Sequence, residues 1–253
     1  MLEQKLITSF DTVKQLDEFI ASLLIQELQK PGLVLLPVGN TFAGASERSQ
    51  GIYPLVNDYF AKAENRLYGS NENPEIYKEQ NHQVHPELKL SHLDELTGSQ
   101  TSFASQLETQ LSNVLKQCSS FYRIDAEDIS GFEKYLRMAG GPRLIVLGLG
   151  ADPNTAHVAF MGEEYINSSI ERIKLTDALA AIHGTDSAIT IGSDLFRMAS
   201  VESIIVVAKG RSKAKSLAAA FEDPDTGLGY LIAHCAGKLQ IFTDQDAVFE
   251  LKY

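Results

Sequence analysis

The residues best equipped for chemistry follow the apolar run Arg143-Leu-Ile-Val-Leu147, in the stretch GLGADPNTAHVAFMGEE that begins at Gly148. Two glycines close the run, and Asp152, His157, Glu163 and Glu164 follow within one short loop. A carboxylate beside an imidazole is ordinary equipment for moving protons to and from a small molecule. Asp94-Glu95, just beyond Leu88-Lys-Leu90, offers a second acidic group. Each also has a plainer reading. Asp94 or Glu95 could cap the next segment, Asp152-Pro153 could make a turn, and His157 could pack in the core. Their joint placement after apolar runs favours acid–base chemistry.

Other chemistries fit less well. A dinucleotide fingerprint needs G-x-G-x-x-G opening a helix, and here Gly148 and Gly150 are followed by Pro153 in the third position. No G-x-x-x-x-G-K-[ST] pattern occurs. Among six histidines, His82-Gln-Val-His85 lies in a polar stretch, and His92-Leu-Asp94 could set two ligands on one face of an extended segment. Zinc usually recruits three or four ligands, and no spacing here supplies the rest, so the expectation is no metal.

An anion site is the remaining candidate. Lys209-Gly-Arg-Ser-Lys-Ala-Lys215 stands where a strand gives way to a helix. Cations at a helix N-terminus oppose its dipole, so their clustering suggests either a bound anion or a solvated basic turn. Gly39, Asn40 and Thr41 could add N–H and hydroxyl donors to the same anion, since glycine lets the backbone approach closely.

These groups need a scaffold. Residues 12–30 place Val13, Leu16, Ile20, Leu23, Leu24 and Leu28 on one helical face. Leu33-Val-Leu-Leu36 is a short unalternating run, as in a parallel strand covered on both faces. Residues 62–86 read as a polar surface excursion. Leu88-Lys-Leu90 is a strand, and Phe103, Leu107, Leu111, Val114 and Leu115 mark the next helix. A helix over 130–139 precedes the strand 143–149. Ala188–Gly192, Ile204–Ala208 and Leu239–Phe242 are further strands, with helices near 193–199 and 212–221. Alternating strands and helices predict an α/β protein, a three-layer α/β/α sandwich with a mostly parallel, Rossmann-like sheet. Ligands bind beyond the carboxyl ends of such strands, so the three segments Pro37–Thr41, His92–Gly98 and Gly148–Glu164 should gather at one sheet edge.

Composition agrees. The 253 residues suffice for a full α/β core. A net charge of −11 argues against a nucleic-acid partner, whose phosphates need a basic surface. No apolar run reaches the roughly 20 residues of a membrane helix, and the N-terminus lacks the basic start and apolar core of a signal peptide. The expectation is a cytoplasmic protein, not bound to membrane, with Cys118 and Cys235 reduced.

The same residues carry a resemblance. Leu36-Pro-Val-Gly-Asn-Thr41 resembles the phosphate loop L-P-T-G-[GS]-T of the glucosamine-6-phosphate deaminase/isomerase and 6-phosphogluconolactonase superfamily. His92-Leu-Asp-Glu-Leu-Thr-Gly98 is similar to its N-[ML]-D-E-Y-x-G segment. Leu147–Asp152 with His157-Val-Ala-Phe160 resembles G-[IV]-G-x-[DN]-G-H-I-A-F-N-E. Ala188–Gly192 is similar to A-[LI]-T-[VM]-G, and Gly210–Ala214 to G-x-x-K-A. The matches run in family order from about residue 33 to 245.

The resemblance implies a single domain over residues 1–253, no metal or organic cofactor, and a phosphorylated sugar as substrate; it leaves room for a homo-oligomer. Asp94 would shuttle the proton at sugar C2. His157 would assist ring opening, oriented by Asp152 and a glutamate, Glu163. Gly39, Asn40, Thr41 and Lys213 would hold the phosphate. The D-E-L-T-G wording favours the deaminase/isomerase branch over the lactonase branch, and a sugar-phosphate-binding regulator without catalysis is the alternative of another class. The chain departs from the pattern by inserting Pro153-Asn-Thr-Ala156, by moving the expected glutamate one place to Glu163, and by lacking an arginine in Lys174–Gly184.

Overall fold

A computed structural model describes residues 6–44, 50–68, 83–100, 102–161 and 168–251. Strand β1 (Ile7–Phe10) leads to helix α1 (Val13–Leu28), whose N-terminus is held by a capping box between Thr12 and Gln15. Leu16, Ile20, Leu24 and Leu28 are buried along one face of α1, each contributing about 1.5–3 kcal/mol by leaving water. Strand β2 (Gly32–Leu36) is the expected buried run. Short helix α2 (Asn40–Ala43) and helix α3 (Ile52–Tyr68) come next. Residues 62–68, expected in a surface excursion, are the end of α3, and residues 69–82, including His82, lie outside the described residues.

Strand β3 (Leu88–His92) turns through buried Leu93 into β4 (Asp94–Leu96). The helix expected next is divided at Leu111 into α4 (Phe103–Gln110) and α5 (Ser112–Leu115). Strand β5 (Ser120–Tyr122), helix α6 (Ile129–Ala139) and strand β6 (Pro142–Gly148) follow. Then come β7 (Ile170–Lys174), α7 (Asp177–His183), β8 (Ser187–Ile191) and α8 (Ser193–Arg197). The last elements are β9 (Ser203–Ala208), a 3-10 turn (Arg211–Lys213), α9 (Ala214–Glu222), α10 (Gly227–Cys235) and β10 (Leu239–Asp244).

Seven strands form one sheet in the order β1-β10-β9-β6-β2-β3-β5, and every pairing in it is parallel. Its two faces carry separate cores. Val34, Leu36, Leu144, Val146, Ile205 and Val207 pack under α1, α3, α4 and α5. Leu33, Leu35, Ile145, Leu147, Ile204 and Val206 pack under α6, α8, α9 and α10. The result is the expected three-layer sandwich, because neighbouring residues of a strand face opposite sides.

One expected strand sits elsewhere. The Ala188–Gly192 run forms β8, which joins a separate three-stranded antiparallel sheet in the order β4-β8-β7. A buried apolar run reveals burial, not which sheet it joins.

The chain builds β2, β3 and β5 outward in one direction, then crosses back to place β6 on the other side of β2. The boundary between β2 and β6 is therefore a topological switch point, where loops leave in opposite directions and open a crevice.

Candidate active site

A cavity of about 910 Å³ opens at the carboxyl edge of the large sheet, and Gly39, Asn40, Thr41, Asp94, His157 and Lys213 all line it. Gly39 and its neighbours leave β2, His157 follows β6, Lys213 follows β9, and Asp94 follows β3. The loop after β2 is fixed from below: the buried Tyr53 hydroxyl donates to the Pro37 carbonyl at 2.6 Å. Gly39 has φ +142°, a conformation that favours glycine, while a Cβ there would meet open space.

Asp94 and Glu95 are adjacent on β4, so their side chains leave on opposite faces. Glu95 turns to the start of α4, accepting from Ser102 Oγ at 2.9 Å, Phe103 N at 2.8 Å and Ala104 N at 3.2 Å. It accepts the first N–H groups of α4 beside the N-cap Ser102, in accord with its plainer reading. Glu95→Gln puts an amide donor against these donors and is expected to cost about 1–3 kcal/mol of stability, read by urea unfolding. Asp94 faces the cavity, only 7% exposed. Burial, then the neighbouring Glu95, push its carboxyl up to about 8. Among the described residues Asp94 has no cationic partner.

His92, weighed as a metal ligand with Asp94, is instead a buried brace. Its Nδ1 lies 2.7 Å from the Asp94 carbonyl, and its Nε2 accepts from Ile124 N at 2.8 Å. Both ring nitrogens are thus committed to backbone at the bend that carries Asp94. His85 Nδ1 accepts from Glu87 N in its own turn. No group of three or more potential ligands occurs among the described residues.

The loop after β6 answers what its glycines are for. Gly150 N donates to the His157 carbonyl at 2.7 Å, and the imidazole lies where a Cβ on residue 150 would stand. The inserted Pro153–Ala156 segment hangs from the start of α10: Gly227 N donates to the Thr155 carbonyl at 2.8 Å and Leu228 N to that of Ala156 at 3.0 Å. Ala156 and Ala159 on either side of His157 have φ of 37° and 53°, left-handed values that cost alanine energy. Burial foremost, then Lys213, pulls the His157 ring down to about 4, with Asp152 acting the other way. The imidazole is neutral at physiological pH.

Asp152 departs from its expected place. Its Oδ1 accepts from Asn154 N and Nδ2, both at 2.9 Å, closing a local turn. Thr155 Oγ1 stands 3.2 Å from His157 Nδ1. The inserted residues put an asparagine donor within reach of the carboxylate and a hydroxyl within reach of the ring. Glu163 lies outside the described residues.

Of the basic cluster, Lys209 pairs with buried Asp17 at 2.8 Å, and Arg211 lies over Phe249 and 3.9 Å from Glu250. Lys213 makes no ion pair among the described residues, and burial lowers its pKa. A dianion in the cavity would supply its counter-charge. His183, which composition and spacing did not bring forward, also lines the cavity and packs edge-on against Phe103 and Phe160.

A parallel sheet wound in both directions, with a loop-lined cavity at its switch point, defines the class: a doubly wound α/β protein with a candidate site at the strand ends. No protein-family model matches the chain, and no curated protein matches it in sequence. Solved structures do match. A monomeric glucosamine-6-phosphate deaminase, described as a missing link of the NagB superfamily, aligns at TM-score 0.71 and 15% identity, covering 96% of this chain and 99% of that one. The 6-phosphogluconolactonase from Trypanosoma cruzi aligns at TM-score 0.66 and 12% identity over 98% of this chain and 97% of that one. That from Leishmania guyanensis aligns at 0.62 and 11% over 96% and 97%. The chain therefore has the fold shared by these NagB superfamily structures along nearly its whole length.

Proposed function

We propose that this chain is an enzyme acting on an amino-sugar 6-phosphate, glucosamine 6-phosphate or galactosamine 6-phosphate, by proton transfer at C2 and aldose–ketose conversion with release of ammonia. The observation that carries the reading is a buried carboxyl, Asp94, with no cationic partner among the described residues, facing the cavity that Lys213 and the Gly39–Thr41 loop also line. A hexosamine phosphate brings what both ends lack: a dianion for Lys213 and an ammonium for Asp94. The similarity to a glucosamine-6-phosphate deaminase supports the same choice. In this reading residues 1–253 act as one domain, because the cavity draws side chains from both sheets.

The steps follow from the placement. Gly39, Asn40, Thr41 and Lys213 hold the phosphate and so fix the sugar carbons. His157 assists transfer of a proton from the anomeric hydroxyl to the ring oxygen, which opens the ring. The Asp94 carboxylate takes the proton from C2 and returns it to C1, while a proton passes from the substrate's ammonium to O1. The resulting C2 imine adds water and loses ammonia, leaving a ketose phosphate. No cofactor enters these steps.

A second reading is 6-phosphogluconolactone hydrolysis with His157 as the base, favoured by the lactonase structures and by an imidazole that stays neutral above about pH 4. A substrate panel and a pH profile separate the two. For the amino sugars, kcat/KM reports the free enzyme, so it should fall about tenfold for each pH unit below 8 as Asp94 takes up its proton. Lactone hydrolysis through His157 would instead stay level from about pH 5 upward. Turnover of the lactone alone rejects the isomerase reading, and binding of sugar phosphates without turnover of any rejects both.

A further inference from the structure

We infer that Asp244 is a positioning residue for Lys213: its buried carboxylate holds Gly210 from beneath and so sets where the turn carrying Lys213 meets the cavity. The inference rests on the proposed phosphate role of Lys213, and one arm of its test is independent of that role.

Asp244 ends β10, the strand that lies between β1 and β9. Its backbone is fixed on the outer side, where it pairs with Phe10 of β1 and Gln245 N donates to the Phe10 carbonyl at 3.1 Å. Its side chain reaches the other way, across the end of β9. Both carboxylate oxygens lie 3.1 Å from Gly210 N, and Oδ1 also accepts from Ala247 N at 2.9 Å. The pairing of β10 with β9 stops at Thr243 and Ala208, so the carboxylate takes over where the strand ladder ends. An aspartate that only closed its own turn would need the Ala247 bond alone. The Gly210 bond joins residues 34 positions apart, and at 2% exposure it is protein donors that satisfy the carboxylate.

Gly210 is the pivot of the next turn. Its φ of +85° favours glycine, and a Cβ there would meet open space, so glycine serves for its backbone and not for room. Its carbonyl accepts from Lys213 N at 3.0 Å. Gly210 is thus held below by Asp244 and holds Lys213 above. Lys209 is tethered as well, through its 2.8 Å ion pair with buried Asp17 of α1. Strand β9 therefore hands the chain on through two fixed residues, and Arg211, Ser212 and Lys213 line the cavity from that base. Asp244 is not among the residues that line the cavity, so it acts through the turn. Attraction between an ammonium and a phosphate falls with distance, most steeply where water is scarce. A shift of the turn is then read in phosphate affinity.

Two measurements on the full chain test this. Amide hydrogen exchange asks whether Asp244 holds the turn. Asp244→Ala should speed exchange at Gly210 N and Lys213 N by about tenfold or more, with the amides of β9 unchanged. Asp244→Asn should stay near wild type, because its amide oxygen can accept from Gly210 and Ala247 in place of Oδ1. Unchanged exchange at both amides in Asp244→Ala overturns the inference. Titration with glucosamine 6-phosphate, followed by 15N shifts so that weak binding is still measured, asks whether the hold is felt through Lys213. Asp244→Ala should weaken binding about 10- to 100-fold, and Asp244→Asn should restore it. Added to Lys213→Met, Asp244→Ala should cost less than about twofold more, since coupled residues are not additive. Full additivity overturns the positioning role, because a general loosening of the fold would weaken both backgrounds alike. Wild type that binds neither glucosamine 6-phosphate nor 6-phosphogluconate overturns the phosphate reading of Lys213 instead, and exchange then decides whether Asp244 holds the turn. Should Asp244→Ala fail to fold, Asp244→Leu, which fills the space without an acceptor, decides by the same two measurements.

Discussion

Asp94→Asn is expected to abolish most turnover and to make the protein more stable at the same time. In the proposed reaction Asp94 is the base at C2, a role that would supply proton transfer worth about 100- to 10 000-fold in rate, and asparagine cannot accept that proton. The stability gain has a separate origin. The Asp94 carboxyl titrates at about 8 in the folded chain against an ordinary value of 3.8, mainly because burial disfavours its charge. Between those pH values the native state holds a proton that the unfolded chain has lost, so native stability falls as pH rises from about 4 to about 8 and levels off above. Asparagine has no such dependence. The variant should therefore match wild type in unfolding free energy near pH 4 and exceed it most above pH 8, by a margin on the order of a few kcal/mol, with melting temperature moving in the same sense. Calorimetric melting across this range, with kcat from a coupled ketose-phosphate assay, reads both effects. Retained turnover removes Asp94 from the chemistry. A melting temperature that fails to gain on wild type as pH rises means that no uncompensated carboxylate is buried there.

The same electrostatic cost explains why a folded protein would keep such a residue. Glu95, one position along, is equally buried but accepts from four hydrogen-bond donors, on Leu96, Ser102, Phe103 and Ala104. Its burial is compensated by the fold. Under the proposed reaction an incoming ammonium would supply the compensation missing at Asp94, and a substrate without one would leave the carboxyl protonated at neutral pH. Under the proposed reaction, a preference for amino sugars over plain hexose phosphates would come from the protonation state of one residue.

Much of the scaffold could be read from the chain because parallel strands covered on both faces are written as unbroken apolar runs. Leu33–Leu36, Leu144–Leu147 and Ile204–Ala208 are such runs, and each is a strand of the large sheet. Edge strands carry no such mark: Ile7–Phe10 and Ser120–Tyr122 are short and half covered. Helix α3 runs on into the polar residues 62–68, which carry little apolar periodicity in the sequence. Helix α10 is hidden by its composition. Gly227 and Gly229 weaken helix propensity, and both are there because Met161 and Asp223 carbonyls leave no room for a Cβ.

The site is legible where position along the chain implies position on the sheet. Gly39–Thr41, Asp94, His157 and Lys213 all come after strands, and parallel strands deliver their outgoing loops to one edge. Details decided by local competition are not legible. An aspartate two residues before an asparagine N–H closes its own turn in preference to reaching for a distant ring, so Asp152 binds Asn154 and Thr155 meets His157. His183 ends a helix, Asp177–His183, whose alanine-rich sequence gives little periodicity, and only the small antiparallel sheet brings it to the cavity.

The two glycines at the end of β6 should respond to alanine in different ways. At Gly148 a Cβ would meet Phe42 and Thr41 at 3.6 and 3.7 Å, ordinary contact distances. At Gly150 the same atom would overlap the imidazole of His157. Gly150 is not held at a positive φ, so the obstacle there is space and not backbone strain. The backbone of the loop cannot yield easily, because Gly150 N is bonded to the His157 carbonyl and α10 holds Thr155 and Ala156. The ring must swing out of its seat and lose the Thr155 hydroxyl. Displacement of a proton-transfer group by an ångström or more can cost about 100-fold in rate, so Gly150→Ala should lower kcat by at least about that factor. Overpacking should cost only about 1–3 kcal/mol in stability. Gly148→Ala should stay within about tenfold of wild type, with its effect mainly on KM because its neighbour Thr41 lies in the loop proposed to hold the phosphate. Equal losses in the two variants, with His157 ring signals unmoved in Gly150→Ala, would mean that the second glycine is not there to seat the imidazole.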